Sequence, residues 1–300
     1  MKTRKIVLLS ACAVLLIICI IQGIVASHNP VKTLAISESP DCIEIAGPSS
    51  TVTLTLDGAT WFVGNDSFQA DKSSVDLILR TIKEIKVLDT VGKLGSDDFN
   101  ARYDLNDGKA YIITAKKGDS VIRTVRLGKT SSTGSQTYLC VDKSNDIYLV
   151  SGNLQSLFSK TEDELKSKTV YSISASSINA ISCTAGAASF KIERDTDGET
   201  AGWKMSDGAE VDVGKADAWA SQLATCTASA WEDDAKLLPK EKVSSVEIVM
   251  ADGTITVDVY KEGGTEDAVY IGVSNRTPHR FTLSETAAQK FQKSAADLKK

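Results

Sequence analysis

Three acidic residues around a glycine, in the stretch DTDGETAGW (residues 195–203), have the composition of half a calcium loop: Asp195, Asp197 and Glu199 flank Gly198. Calcium takes six or more oxygens, and the EF-hand arrangement closes on a bidentate glutamate at its twelfth position. Counted from Asp195, that position is Ser206, so a hairpin turn enriched in acids is the better reading. In LGKTSS (127–132), Gly128-Lys129-Thr130 has the ending of a phosphate-binding loop. Such a loop needs a glycine five positions before Gly128 and must open a helix. Position 123 is arginine and strand-like TYLC follows, so this stretch reads as a loop without nucleotide chemistry. The carboxylates of Asp97-Asp98 and Glu232-Asp233-Asp234 are of the type that serves general acid/base hydrolysis when they converge in a cleft. In polar connections such groups read first as solvated surface. The two histidines, His28 and His279, join no HExxH, and no GxSxG is present, so no nucleophilic triad can be assembled. No catalytic, cofactor-binding or metal-ligating residue is assigned, no cofactor is expected, and the chain is expected not to be an enzyme.

Four tryptophans, Trp61, Trp203, Trp219 and Trp231, raise the idea of a sugar-stacking platform. Trp203 sits beside a strand and Trp219 on an apolar helix face, so both read as core; Trp231 and Phe68 are less constrained. Asn65-Asp66-Ser67 and Asn275-Arg276-Thr277 fit a glycosylation pattern that matters only in a eukaryotic secretory setting.

The elements behind these residues say the same thing twice. TLDGATW (55–61) and DTDGETAGW both put Asp-Gly shortly before a tryptophan and follow alternating apolar residues, the marks of a strand running into a hairpin. Downstream, Asp71 precedes Val75, Ile78, Leu79, Ile82 and Ile85, and Asp212 precedes Ala216, Trp219, Ala220, Leu223 and Cys226, at a constant offset of 141. Each set is one face of an amphipathic helix behind an aspartate N-cap. Residues 111–128 match 255–272 at an offset of 144. Tyr148, Val150, Phe158 and Leu165 match Phe281, Leu283, Phe291 and Leu298 at 133. The expected fold is α+β: two tandem copies of a mainly antiparallel-sheet unit with one or two packed helices each. Their boundaries are 49–173 and 174–300, after a linker at 31–48. The connection after the first helix, DTVGKLGSDDFNARYDLND, is longer than its counterpart and is expected to be a surface insertion.

Residues 1–30 set the address. MKTRK is basic, and Ile6–Ala26 is a 21-residue run without a charge. As a helix it is long enough for a bilayer of about 30 Å and longer than the roughly 7–15 apolar residues of a cleavable signal. The basic flank is expected to stay inside. That gives a single-pass protein of a bacterial cell membrane with the bulk of the chain extracytoplasmic. Cleavage near IVAS (24–27) and lipidation at Cys12 after LSAC are the rivals. Cys42, Cys140, Cys183 and Cys226 are too widely spaced for a metal knuckle; their pairing is open. Of the 34 Lys and Arg, three lie in the tip, leaving 31 against 39 acidic residues. Such an acidic body is repelled by phosphate backbones, so no nucleic-acid partner is expected.

The helix AD…V..IL..I, the step Tyr103-Asp104-Leu105, the run VRLGK…TGSQTYLCVD…IYLV and LFSKTEDELKSKTV, followed by GWKMSDGAEVDVGKADAWASQLATC, resemble the bacterial domain-of-unknown-function family numbered 4340. The resemblance covers about residues 50–300. Where the family more often has Tyr-Gly-Leu, this chain has Asp104, a departure that bears on a turn. The resemblance implies a membrane-anchored protein, often encoded beside ABC transporters of the gliding-motility auxiliary type, with no catalytic residues to carry over. A non-enzymatic accessory protein with ABC transporter subunits as partners is therefore the leading expectation. A cell-surface glycan- or ligand-binding module comes second and a hydrolase using the paired carboxylates third.

Overall fold

The structure is a computed structural model that describes residues 13–22, 32–65, 68–195, 202–232, 237–239, 241–264 and 267–300. Two compact units divide the chain, Met1–Ser167 and Lys168–Lys300, and each combines antiparallel sheet with a few helices. Within the apolar N-terminal segment, residues 13–22 are helical and exposed; the rest lies outside the described residues. Among the described residues, no helix is long and apolar enough to cross a membrane.

In the first unit β1 (Lys32–Ala35), β2 (Cys42–Ala46), β3 (Thr51–Asp57), β4 (Thr60–Val63) and β5 (Phe68–Gln69) precede helix α1 (Lys72–Lys83). Gly58 turns the β3–β4 hairpin at φ +58°, and Asp57 pairs with Thr60 across it. A left-handed residue is what such a tight turn requires, and glycine supplies it without a steric cost. Asp71 caps α1, accepting from the Ser74 amide at 2.8 Å. Val75, Ile78 and Ile82 are buried on one face, each worth about 1.5–3 kcal/mol of burial. The helix is shorter than the apolar spacing suggested. It ends at Lys83, and Ile85 reaches the same core from strand β6 (Glu84–Lys93), which follows without a loop.

Helix α2 (Asp97–Ala101) leads to β7 (Tyr111–Lys117), β8 (Ser120–Thr130), β9 (Gln136–Val141) and β10 (Asp146–Ser151), and α3 (Leu154–Phe158) and α4 (Glu162–Leu165) close the unit. The strands form one ten-stranded sheet in the order β1-β6-β10-β9-β8-β7-β2-β3-β4-β5. Strand β6 is shared: its first half pairs with β1 and its second half with β10. The long connection after α1 is not a bare surface loop. Phe99 and Tyr103 pack with Leu105, Tyr138, Cys140 and Ile147 in a second small core. Alternation explains its placement, because Leu139 and Val141 face the main core while Tyr138 and Cys140, which alternate with them, face the other side.

In the second unit β11 (Thr169–Ser172), β12 (Ile178–Ala185), β13 (Ala188–Asp195) and β14 (Gly202–Met205) precede helix α5 (Val213–Leu223). Asp212 caps α5, accepting from the Lys215 amide at 3.0 Å, and Ala216, Trp219, Ala220 and Leu223 are buried. Cys226 again lies beyond the helix, in β15 (Thr225–Thr227), yet is fully buried. Then come β16 (Ala230–Trp231), β17 (Glu241–Met250), β18 (Gly253–Glu262), β19 (Val269–Ser274), β20 (Phe281–Leu283) and helix α6 (Glu285–Gln289). The main sheet runs β14-β13-β12-β17-β18-β19-β20-β16, with β11 and β15 as a separate pair.

The match of 111–128 with 255–272 does not survive the strand order. The first stretch is the β7–β8 hairpin, with β7 paired directly to β2; the second is β18–β19, separated from β12 by β17. By contrast, all eight residues matched at an offset of 133 are buried.

Candidate functional site

The acidic groups singled out by type are divided between the two units, and part of them lies outside the described residues. Asp97 and Asp98 are exposed in the first turn of α2, where carboxylates favour the positive helix end. Glu232 is half-buried at the end of β16, its amide donating to the Arg280 carbonyl at 2.9 Å; Asp233 and Asp234 lie outside the described residues. Asp195 ends β13, pairs with Gly202 of β14 and lies 3.5 Å from the Lys204 ammonium. Asp197, Gly198 and Glu199 are outside the described residues, in a connection that joins two antiparallel neighbours. Among the described residues, no group of three or more His, Cys, Asp or Glu is placed to hold a metal.

Gly128-Lys129-Thr130 is not a loop but the end of β8. Gly128 is required there because a Cβ would come within 2.1 Å of the Tyr103 carbonyl oxygen, and the Lys129 amide donates to that same oxygen at 2.8 Å. The turn it abuts holds Asp104 at φ +54°, in the left-handed region. Trp203 and Trp219 are core residues. Trp231 is half-buried and packs edge-on against Phe281 and His279, and Phe68 is buried with the Lys166 ammonium 4.2 Å from its ring centre. The Asn275 side chain is committed to the sheet: its oxygen accepts from the Thr256 amide at 3.0 Å and its nitrogen donates to the Thr254 carbonyl at 2.9 Å. Asn65 is described, whereas Asp66 and Ser67, like His28, are not. Cys140, Cys183 and Cys226 are free and buried, and burial pushes each thiol up to about 11. Cys42 is free and half-buried.

Sequence reasoning missed the place where cavity and charge meet. At the C-terminal end of α1, where the helix passes straight into β6, a cavity of about 230 Å³ is lined by Arg80, Thr81, Glu84, Ile85, Lys86, Val150, Ser151 and Leu154. Val150 and Ile85 are buried beneath it. The mouth carries charge: the Lys86 ammonium lies 3.4 Å from the Glu84 carboxylate, and Arg80 is exposed in the last helical turn. Helix ends leave carbonyls without intrahelical donors and carry partial negative charge. A second cavity of about 220 Å³ lies between the Gly47–Ser50 turn, Tyr111, Phe158 and Lys160. Its ammonium is already held by the Ser74 hydroxyl at 2.9 Å.

The junction at the end of α5 is built differently. Lys290, just past α6, donates to the Gln222 carbonyl at 3.2 Å and also to the Thr225 carbonyl. Its own carbonyl accepts from Trp219 Nε1 at 2.8 Å. Burial holds the Lys290 ammonium below its usual range, with the neighbouring Cys226 thiol acting in the opposite sense.

Two antiparallel-sheet units with capped helices define an α+β protein, and the family match specifies it further. The profile described as Domain of unknown function (DUF4340) matches residues 61–246, and the chain belongs to that family. The match starts at Trp61 in the first unit and ends at Val246 in the second. No curated protein and no solved structure matches the chain.

Proposed function

We propose that the protein is a non-enzymatic accessory subunit, anchored in a bacterial cell membrane through Ile6–Ala26 with the bulk of the chain outside. It works beside an ABC transporter of the gliding-motility auxiliary type. The observation that carries this reading is the recurrence of one strand order. β4-β3-β2-β7-β8-β9-β10-β6 in the first unit has its counterpart in β14-β13-β12-β17-β18-β19-β20-β16 in the second. Strands β15 and β16 take the places of the two halves of β6: β11 pairs with β15 as β1 pairs with the first half, and β20 pairs with β16 as β10 pairs with the second. This supports tandem copies of one unit, a doubled docking scaffold behind a charge-free anchor segment.

Cross-linking in intact cells that express the tagged full-length chain, followed by purification from solubilised membranes, tests the assignment. Co-purification of an ABC permease or its ATPase is the expected result, lost when Ile6–Ala26 is exchanged for an unrelated anchor or when either unit is deleted. Absence of transporter subunits from a folded, anchored sample refutes it. The cavity at the α1–β6 junction favours, as a second reading, a module that binds a ligand.

A further inference from the structure

The α1–β6 and α5–β15 junctions occupy the same place in their two units, and only one is filled from within. Gln222, Thr225 and Cys226 stand 141 positions after Thr81, Glu84 and Ile85. The carbonyls of Gln222 and Thr225 accept from the Lys290 ammonium, whereas Thr81, Glu84 and Ile85 line the cavity. Leu157 stands 133 positions before Lys290; its side chain is packed in the main core of its unit instead. What the second unit closes with its own lysine is therefore, in the first, a cavity of about 230 Å³.

From this we infer that the cavity is a binding site for a small zwitterion, an ω-amino acid or its equivalent. The ammonium enters towards the Thr81 and Glu84 carbonyls, and the carboxylate stays at the mouth beside Arg80. Three features define that ligand. The helix end favours a cation, as it does for Lys290. Ile85, Val150 and Leu154 give the walls an apolar stretch, as wanted by a methylene chain of lysine length. Lys86 is engaged with Glu84, whereas among the described residues the Arg80 guanidinium has no ion-pair partner. In the second unit Ser221 stands where the first has Arg80, as befits a site whose cation arrives on the chain's own backbone and brings no carboxylate.

This rests on the equivalence of the two units and on the ligand-binding reading, not on a transporter partner. The test is calorimetric titration of the purified full chain with 5-aminopentanoate, n-butylammonium and pentanoate. Saturable binding of 5-aminopentanoate, about tenfold tighter than either half-ligand, is expected. Equal or tighter binding of pentanoate, or no binding of any of the three, overturns the assignment. Arg80→Ser, on an exposed side chain, is expected to leave n-butylammonium binding intact and to bring 5-aminopentanoate down to its level; an unchanged preference refutes the role of the mouth. Leu157→Lys separates the two premises by crystallography. An introduced ammonium docked on the Thr81 and Glu84 carbonyls, with ligand binding lost, supports both. The same docking in a chain whose parent binds none of the probes preserves the equivalence and refutes the ligand. An introduced side chain that points elsewhere refutes the equivalence.

Discussion

The Arg123 guanidinium, 3% exposed, donates through Nη1 to the carbonyl of Ile82 at 3.3 Å, in the last turn of α1. The same nitrogen reaches the Leu34 carbonyl of β1 at 3.1 Å, and Nε lies 3.5 Å from the Asp142 carboxylate. One buried cation thus joins β8, the helix end and the edge strand. Burial lowers its pKa from the usual arginine range, and Asp142 opposes that shift.

Replacement of Arg123 by methionine keeps much of the volume but strips two carbonyls of their donor. The expected loss is about 2–4 kcal/mol, the scale of a buried charged group removed from its partners. Asp142→Asn should cost less than about 1 kcal/mol, because that carboxylate is half exposed. Urea unfolding of the first unit reads both: a lower midpoint at unchanged slope is the expected outcome for Arg123→Met. Equal effects of the two variants would refute the helix-end role.

The Tyr103–Leu105 turn and Gly128 make a second, steric pair. An added Cβ at 128 meets a backbone oxygen at 2.1 Å, and backbone cannot swing aside as a side-chain tip can. Gly128→Ala is therefore expected to cost more than about 2 kcal/mol. Asp104→Gly should stabilise by about 0.5–1 kcal/mol, since glycine adopts φ +54° freely. Loss of the exposed Lys109 pair at 3.4 Å subtracts little. Thermal melting of the two variants against the parent checks both signs.

How far the fold could be read ahead depended on what kind of pattern each part leaves. The 3.6-residue spacing of Val75, Ile78 and Ile82 and the Asp71 cap identify α1 because a helix imprints both. Alternation identifies strands but not which neighbour is which: Gly128 and Gly272 end similar runs for different reasons. One makes room for the Tyr103 carbonyl, the other for the Phe281 ring, 2.2 Å from a would-be Cβ. The passage from α1 into β6 has no glycine or proline to announce it, so Ile85 read as helix. The second core of Phe99, Tyr103 and Leu105 has no period at all. Nothing in the sequence around Lys290 marks its role, because only the fold brings its ammonium onto two carbonyls.

In the second unit, Asp217 is expected to matter more than an ordinary surface acid. Its Oδ1 accepts from Arg194 Nη1 at 2.9 Å and from Trp203 Nε1 at 2.8 Å, while the Arg194 guanidinium lies 4.1 Å from the Trp203 ring centre. Asp217→Ala should cost about 1–2 kcal/mol, and Asp217→Asn less, because an oxygen remains for the indole. A double-mutant cycle with Arg194→Ala, followed by tryptophan fluorescence during unfolding, should give a coupling of at least about 0.5 kcal/mol. Additive effects would show that the pair acts separately.

The buried thiols make stability fall on the alkaline side. Cys140, Cys183 and Cys226 titrate at about 11 in the fold against an ordinary value of 9.0, because burial disfavours the thiolate. Between those two values the unfolded chain releases protons that the folded one keeps. Their contribution is thus fully present below pH 9 and is lost as pH rises through about 11. Each of the three thiols adds to that fall in the same direction. Lys290, whose ammonium is held below its usual range, acts in the opposite sense, so a difference measurement is needed. Cys183→Ala should be less stable than the parent at pH 8 by a packing loss, and the gap should narrow steadily above pH 9. A gap independent of pH would refute the buried-thiol account. At pH 8 a thiol reagent should label Cys42, half-buried, well before the other three, which should react only as the chain unfolds.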